Sequence, residues 1–343
     1  IDTPGLIDCA LVSETWKVLA VNVLLKRWEN IIEACKSGKA EVVRILLERS
    51  KNLDCELEER DNDGLTAFMS ACKLGHTEVV KLLLNYSNAQ DEIAIDHIYE
   101  CSTFELVCNN GQKIVVDRIL NHSDIDLNAR DDKWKTAFIY ACENGNNDIV
   151  KLLLDHSDNC IDLNARDRYG GTAFSWACLN GHIDVVKLLL DHSEINNNLS
   201  AKDNDGETHV KVEWRFWKTI DLSDEEDVGM TPLMLACIWG HTDIVKLLLD
   251  CVNIELNATA GQWGTTAFMY ACAHGHKNVA KLIMDNTDNN IDLNKMDERG
   301  RTAYMLACRK GHRDVVQLLL EYLQDKGILI SKAEKNMVHK DIR

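Results

Sequence analysis

Apolar and polar positions along the chain fall into one recurring phrase. Its clearest copy runs Thr172-Ala173-Phe174-Ser175-Trp176-Ala177-Cys178-Leu179-Asn180-Gly181-His182-Ile183-Asp184-Val185-Val186-Lys187-Leu188-Leu189-Leu190. A short run dominated by apolar residues, a glycine turn and a second run with Val-Val and Leu-Leu-Leu at helical spacing predict two helices joined by a tight corner. The corner glycine recurs at Gly38, Gly75, Gly111, Gly145, Gly181, Gly240, Gly275 and Gly311, every 34–37 residues except for one interval of 59. A fixed period of this size marks a stacked repeat array, in which each unit is sealed by its neighbours and a long binding surface results. The second helix is apolar over too wide a face to stand alone in water, so adjacent units must cover it.

Each unit carries its own start and stop signals. Thr66, Thr136, Thr172, Thr231, Thr266 and Thr302 stand where a side chain caps the first helix, and Pro232 takes the first helical position of one unit. Glu78, Asp148, Asp184, Asp243 and Asp314 place an acid in the first turn of the second helix, where the helix dipole favours it. Asp or Asn followed by Gly64, Gly170, Gly206, Gly264 or Gly300 precedes the next unit and reads as hairpin-turn chemistry. Trp134 takes the glycine's place in the fourth unit. A bulky side chain resists positive φ, so that turn is expected to differ. The third unit has Arg118 in place of Leu, Ile114 where an acid is usual, and Cys101-Ser102 at the cap, and is expected to be the least stable joint.

The phrase Gly-x-Thr-Ala-Phe-x-x-Ala-Cys-x-x-Gly-His-x-Asp-Val-Val-Lys-Leu-Leu-Leu resembles the ankyrin repeat, over about residues 31–322. Ala-Phe-Met, Ala-Phe-Ile or Ala-Phe-Ser mostly replaces the family's Pro-Leu-His, and the units run a few residues long after the second helix. The resemblance implies an all-α solenoid of eight helix pairs with short β-hairpin fingers. It also implies a concave face, formed by hairpin tips and first helices, that binds other proteins without catalysis. Carried onto this sequence, the partner-binding candidates are Tyr169, Leu179, Ile238, Trp239, Trp263, His274, Arg299 and Arg309. They are expected to form an aromatic stripe flanked by a basic end, unless Trp239 packs instead on aromatic residues of its own chain at 214–217.

Outside the array lie residues 1–30, which predict a capping helix over 14–27, an insertion at about 207–229, and a tail at 323–343. In the insertion Val210, Val212, Trp214 and Phe216 alternate with charged residues as in a strand. An extended hairpin, a loop without a role and a translated intron all account for it. Ser223 precedes an acidic run and resembles an acidophilic kinase site. Residues 1–8 contain Asp-Thr-Pro-Gly, similar to a GTPase switch motif, and the chain does not begin with Met. The second functional reading is therefore a targeting region severed from a larger enzyme, although no phosphate-cradling Gly-x-x-x-x-Gly-Lys is present.

Composition narrows the partner classes. The net charge of −17 disfavours nucleic acid and favours a basic or apolar-faced protein. Eight of the 13 cysteines occupy one repeat position, where they read as small buried apolar residues of an intracellular, cytoplasmic protein. Cys-x-x-x-His recurs at Cys72/His76, Cys178/His182, Cys237/His241, Cys272/His276 and Cys308/His312, but one pair per unit spreads along the array instead of converging on an ion. No metal, cofactor, catalytic residue or membrane insertion is expected, and the array is expected to be monomeric.

Overall fold

The computed structural model describes residues 31–49, 57, 59–89, 101–122, 125–156, 161–191, 230–251, 254–261, 263–286 and 292–325. The expected N-terminal capping helix, the switch-like residues 1–8, the insertion with Ser223 and the residues beyond 325 lie outside the described residues. So does any packing of Trp239 on residues 214–217.

Among the described residues eight helix pairs are seen: α1 Ile31–Lys36 with α2 Ala40–Arg49, α3 Ala67–Lys73 with α4 Thr77–Ala89, α5 Cys101–Asn109 with α6 Lys113–His122, α7 Ala137–Glu143 with α8 Asn147–Asp155, α9 Ala173–Asn180 with α10 Ile183–Leu190, α11 Pro232–Trp239 with α12 Thr242–Leu249, α13 Ala267–Ala273 with α14 Lys277–Asp285, and α15 Ala303–Lys310 with α16 Arg313–Asp325. One hairpin has two-residue strands, β1 Thr259–Ala260 and β2 Thr265–Thr266, antiparallel with Thr259 opposite Thr266. The chain divides into two compact units, residues 1–131 with 152–158, and residues 132–151 with 159–343. In the first, α1 packs on α3 and α3 on α5, while α2, α4 and α6 form a second row. In the second, α7, α9, α11, α13 and α15 pack in sequence, and α10, α12, α14 and α16 line up beside them.

Within each unit an inner first helix, such as α9, lies between two others and is apolar nearly all round. In α9 every residue except Asn180 is buried. The second helix needs only one buried face: in α12 Ile244, Val245, Leu248 and Leu249 point inward and Asp243 and Lys246 outward. The threonine caps form as expected, with Oγ1 accepting from the backbone N–H three residues on, as Thr136 does from Ile139 at 3.3 Å. The eight repeat cysteines are buried free thiols, and desolvation pushes the Cys35 thiol up to about 12.

The corner between paired helices is locked by the following unit. Gly240 has φ +75°, and a Cβ built on it would lie 2.4 Å from Nδ1 of His276. The His276 ring therefore rests where a side chain would stand. Its Nε2 lies 2.7 Å from the Ile238 carbonyl; a carbonyl only accepts, so Nε2 carries the proton. His76 reaches Lys36, His182 reaches Glu143, His241 reaches Leu179 and His312 reaches Ala273 in the same way, at 2.8–2.9 Å. His182, His241 and His276 stand at the N-caps of second helices without a side-chain capping bond, because the ring turns back to the preceding unit. In the third unit Gln112 replaces histidine and its Nε2 donates to the Cys72 carbonyl at 2.6 Å.

The turn at Trp134 departs from expectation. It does not reorganise: Trp134 adopts φ +62°, alongside 64–76° at Gly64, Gly170, Gly264 and Gly300. Left-handed backbone costs a side-chain-bearing residue about 1–2 kcal/mol. The flanking structure holds the turn in shape, and the indole is left 59% exposed.

Candidate partner-binding surface

An inward-turned aspartate builds three of the described hairpin tips, at Asp61, Asp167 and Asp297. Asp167 donates its N–H to the Gly171 carbonyl and accepts from Gly170 N–H through its own carbonyl. Its Oδ1 takes the N–H groups of Tyr169 at 3.0 Å and Gly171 at 2.8 Å, and Oδ2 takes the Trp176 indole N–H at 2.8 Å. Desolvation raises this carboxyl above its ordinary range, and the hydrogen bonds and the Lys135 charge oppose that rise. Asp297 repeats the arrangement with Arg299 N–H, Arg301 N–H and, at 2.6 Å, Arg301 Nε. At the tip before the second helix pair Asp61 does so with Asp63 and Leu65 and pairs with Lys36 at 2.9 Å. The acids at these corners are thus turned inward and consumed, and the residues between aspartate and glycine are pushed outward.

Neighbouring tips are stitched together. Arg168 N–H donates to the Lys133 carbonyl and Glu298 N–H to the Trp263 carbonyl, both at 2.9 Å. The Arg299 guanidinium lies 3.3 Å from the centre of the Trp263 ring, and Arg168 lies 5.0 Å from that of Tyr169. Under the fifth tip, Lys135 is 5% exposed, pairs with Glu143 at 2.6 Å and sits 4.0 Å over the Trp176 ring. That ion pair and ring clamp the fourth helix pair to the fifth.

The structure separates the eight candidate residues. Trp263 and Arg299 come together, and Tyr169 joins Arg168 at the next stitched tip; Arg299 and Arg309 are exposed, and Tyr169, Trp239, Trp263 and His274 are half-buried. Leu179 and Ile238 require correction. Each is only 3% exposed and packs between first helices, while its carbonyl holds the histidine of the next unit. Apolar side chains two places before the corner glycine gain more by burial than by facing water, so the position immediately before the glycine is the surface one. His274 occupies that position, stacked on Tyr270 at 6.4 Å. Burial lowers its pKa to about 4, with His276, Lys310 and His312 adding repulsion. Trp134, outside the eight candidates, is exposed at a hairpin position where other units carry glycine.

Among the described residues no group of three or more histidine, cysteine or acidic side chains is placed to hold a metal. No described helix is long and apolar enough to cross a membrane.

The family profile described as Ankyrin repeats (3 copies) matches residues 11–94, 104–203 and 254–330, and the single Ankyrin repeat profile matches residues 228–259. The crystal structure of EF0377, an ankyrin repeat protein, is similar to this chain with a TM-score of 0.50 and 21% identity, over 65% of this chain and 98% of its own. In all, 466 chains of solved structure match, a breadth that ties the likeness to the fold and not to any one partner. The sequence has no match among the curated proteins. Threonine caps, glycine corners, histidine locks and aspartate-built tips, together with profiles spanning most of its length, place this chain in the ankyrin repeat family.

Proposed function

We propose that this protein is a non-catalytic, intracellular interaction scaffold or adaptor of the cytoplasm, and that the array at 31–322 is its binding module. Stacked repeats expose extended surfaces while spending their apolar faces on one another, and ankyrin repeats generally serve protein–protein interaction. The observation that carries the reading is the Trp263–Arg299 pair. A tryptophan and an arginine that meet across neighbouring hairpin tips, the guanidinium 3.3 Å from the ring centre, are residue types that dominate binding energy at interfaces. Tyr169, Trp239, His274 and Arg309 extend the surface along the same unit. The test is affinity capture with the full chain and with a Trp239→Ala/Trp263→Ala variant. The expected result is a protein retained by the first and lost by the second, with unchanged circular dichroism. Equal capture by both overturns this surface, and turnover of a substrate by the chain alone overturns the non-catalytic reading.

A further inference from the structure

The seventh corner is built unlike the others. His274 is the only histidine that directly precedes a corner glycine. Its ring stacks on Tyr270, with centroids 6.4 Å apart, and lies 6.4 Å from the His276 ring. Its Nε2 is buried and makes no hydrogen bond among the described residues. An imidazolium carries an N–H on both nitrogens, so charging His274 leaves a buried donor without an acceptor, a costly state. The lock of the eighth unit grips the same stretch of chain. His312 Nε2 donates to the Ala273 carbonyl at 2.8 Å, and a Cβ built on Gly275 would lie 2.5 Å from His312 Nδ1. The residues on both sides of His274 are therefore held by the histidine that joins the eighth unit to the seventh.

The groups that bear on His274 electrostatically are cationic when protonated. From its own unit comes His276, at the start of α14; from the eighth come Lys310, at the end of α15, and His312, at the start of α16. On the side of the sixth unit α11 carries no acid or base other than Cys237, and His241 bears on His276. Further out, Lys277, Arg309 and Arg313 are exposed, with Asp314 beside them. Burial, then repulsion from these neighbours, lowers the His274 pKa to about 4. Burial lowers that of His276 too, against the bond to the Ile238 carbonyl. Both rings hold a proton less well in the fold than in an open chain, so acid favours whatever opening frees them.

We propose that the joint between the seventh and eighth units is an acid-operated switch: when His274 takes up a proton, α15 and α16 loosen from α13 and α14 while α9 and α10 keep their packing. The Trp263–Arg299 pair spans this joint, since Glu298 N–H donates to the Trp263 carbonyl and Arg299 covers the ring. Opening therefore takes that surface apart. This consequence for a partner rests on the interaction reading above; the switch itself does not.

The test is hydrogen exchange of the full chain, read by mass spectrometry at pH 7 and pH 5, with rates converted to protection factors so that the intrinsic pH dependence drops out. Protection over 303–316 is expected to fall about tenfold or more from the higher pH to the lower, and that over 173–190 by less than about threefold. The second segment is the internal control: its corner has the same histidine lock, from His241, but Asn180 in place of His274. His274→Asn is expected to abolish the fall over 303–316. Lys310→Glu, which replaces a repelling charge with an attracting one, is expected to reduce it about threefold or more. A fall of equal size in both segments, no fall over 303–316, or a fall unchanged in either variant overturns the proposal. The readout needs no partner, so its failure leaves the interaction reading standing, and failed capture of a partner leaves the switch standing.

Discussion

The histidine lock makes a quantitative prediction about the array's joints. Gly240→Ala imposes two separate costs. Positive φ costs alanine about 1–2 kcal/mol. The new methyl would sit 2.4 Å from His276 Nδ1, so the ring must leave. Its bond to the Ile238 carbonyl then goes, worth about 0.5–1.5 kcal/mol, with more if the carbonyl stays dry. The total is about 2–4 kcal/mol. His276→Ala alone loses the bond and the packing of the ring, about 1–3 kcal/mol. In the double variant the collision is gone, so Gly240→Ala costs only its backbone share. The cycle should close with a coupling of about 1–2 kcal/mol, the double variant being more stable than the two single losses predict. Urea unfolding followed by far-ultraviolet circular dichroism measures each corner, with the m-value unchanged if the denatured state is. Additivity within about 0.5 kcal/mol would refute the argument that the ring occupies the side-chain space of the glycine.

Other outcomes follow from burial. His274 stays neutral in the fold down to about pH 4, whereas unfolded histidine takes its proton near 6.5; the unfolded chain then binds more protons between those values, so stability is full above pH 6.5 and falls as pH drops toward 4, by up to ~3 kcal/mol. Melting curves across that window should be shallower for His274→Asn than for the parent, and identical slopes would count against the assignment. The eight repeat cysteines should resist a thiol reagent under native conditions and react on unfolding, since desolvation holds thiols such as Cys35 protonated and thiolate is the reactive form; native labelling at Cys178 or Cys237 would contradict their burial. Amides of 101–120 are expected to exchange faster than those of 172–190, because α5 and α6 carry the weakest copy of the pattern, and equal protection would remove the third unit's special status.

The sequence announced most of the fold because each repeat's local signals agree. Threonine caps, glycine corners and the apolar spacing of paired helices are all nearest-neighbour chemistry, and eight copies reinforce one another. The surface was less legible. Tyr169, Trp263 and Arg299 could be placed at tips by phase alone. Leu179 and Ile238 could not be separated from Trp239, because one residue's difference in phase decides whether a side chain at the end of a short helix faces the next unit or water. The role of the repeated histidine was visible only as a spacing.

From its sequence alone this chain was bound to stack helix pairs, because its apolar period leaves no other way to keep those faces from water. Tertiary structure alone decided that histidine rings fill the glycines' empty space, that Asp167 and Asp297 are consumed at the tips, and that Trp134 stays in a glycine's conformation. The histidine bonds join residues 38 to 62 positions apart, whose distances follow from how units dock and not from any local pattern; the tip aspartates close over only 2 to 9 positions, where spacing alone does not say that the carboxylate turns inward.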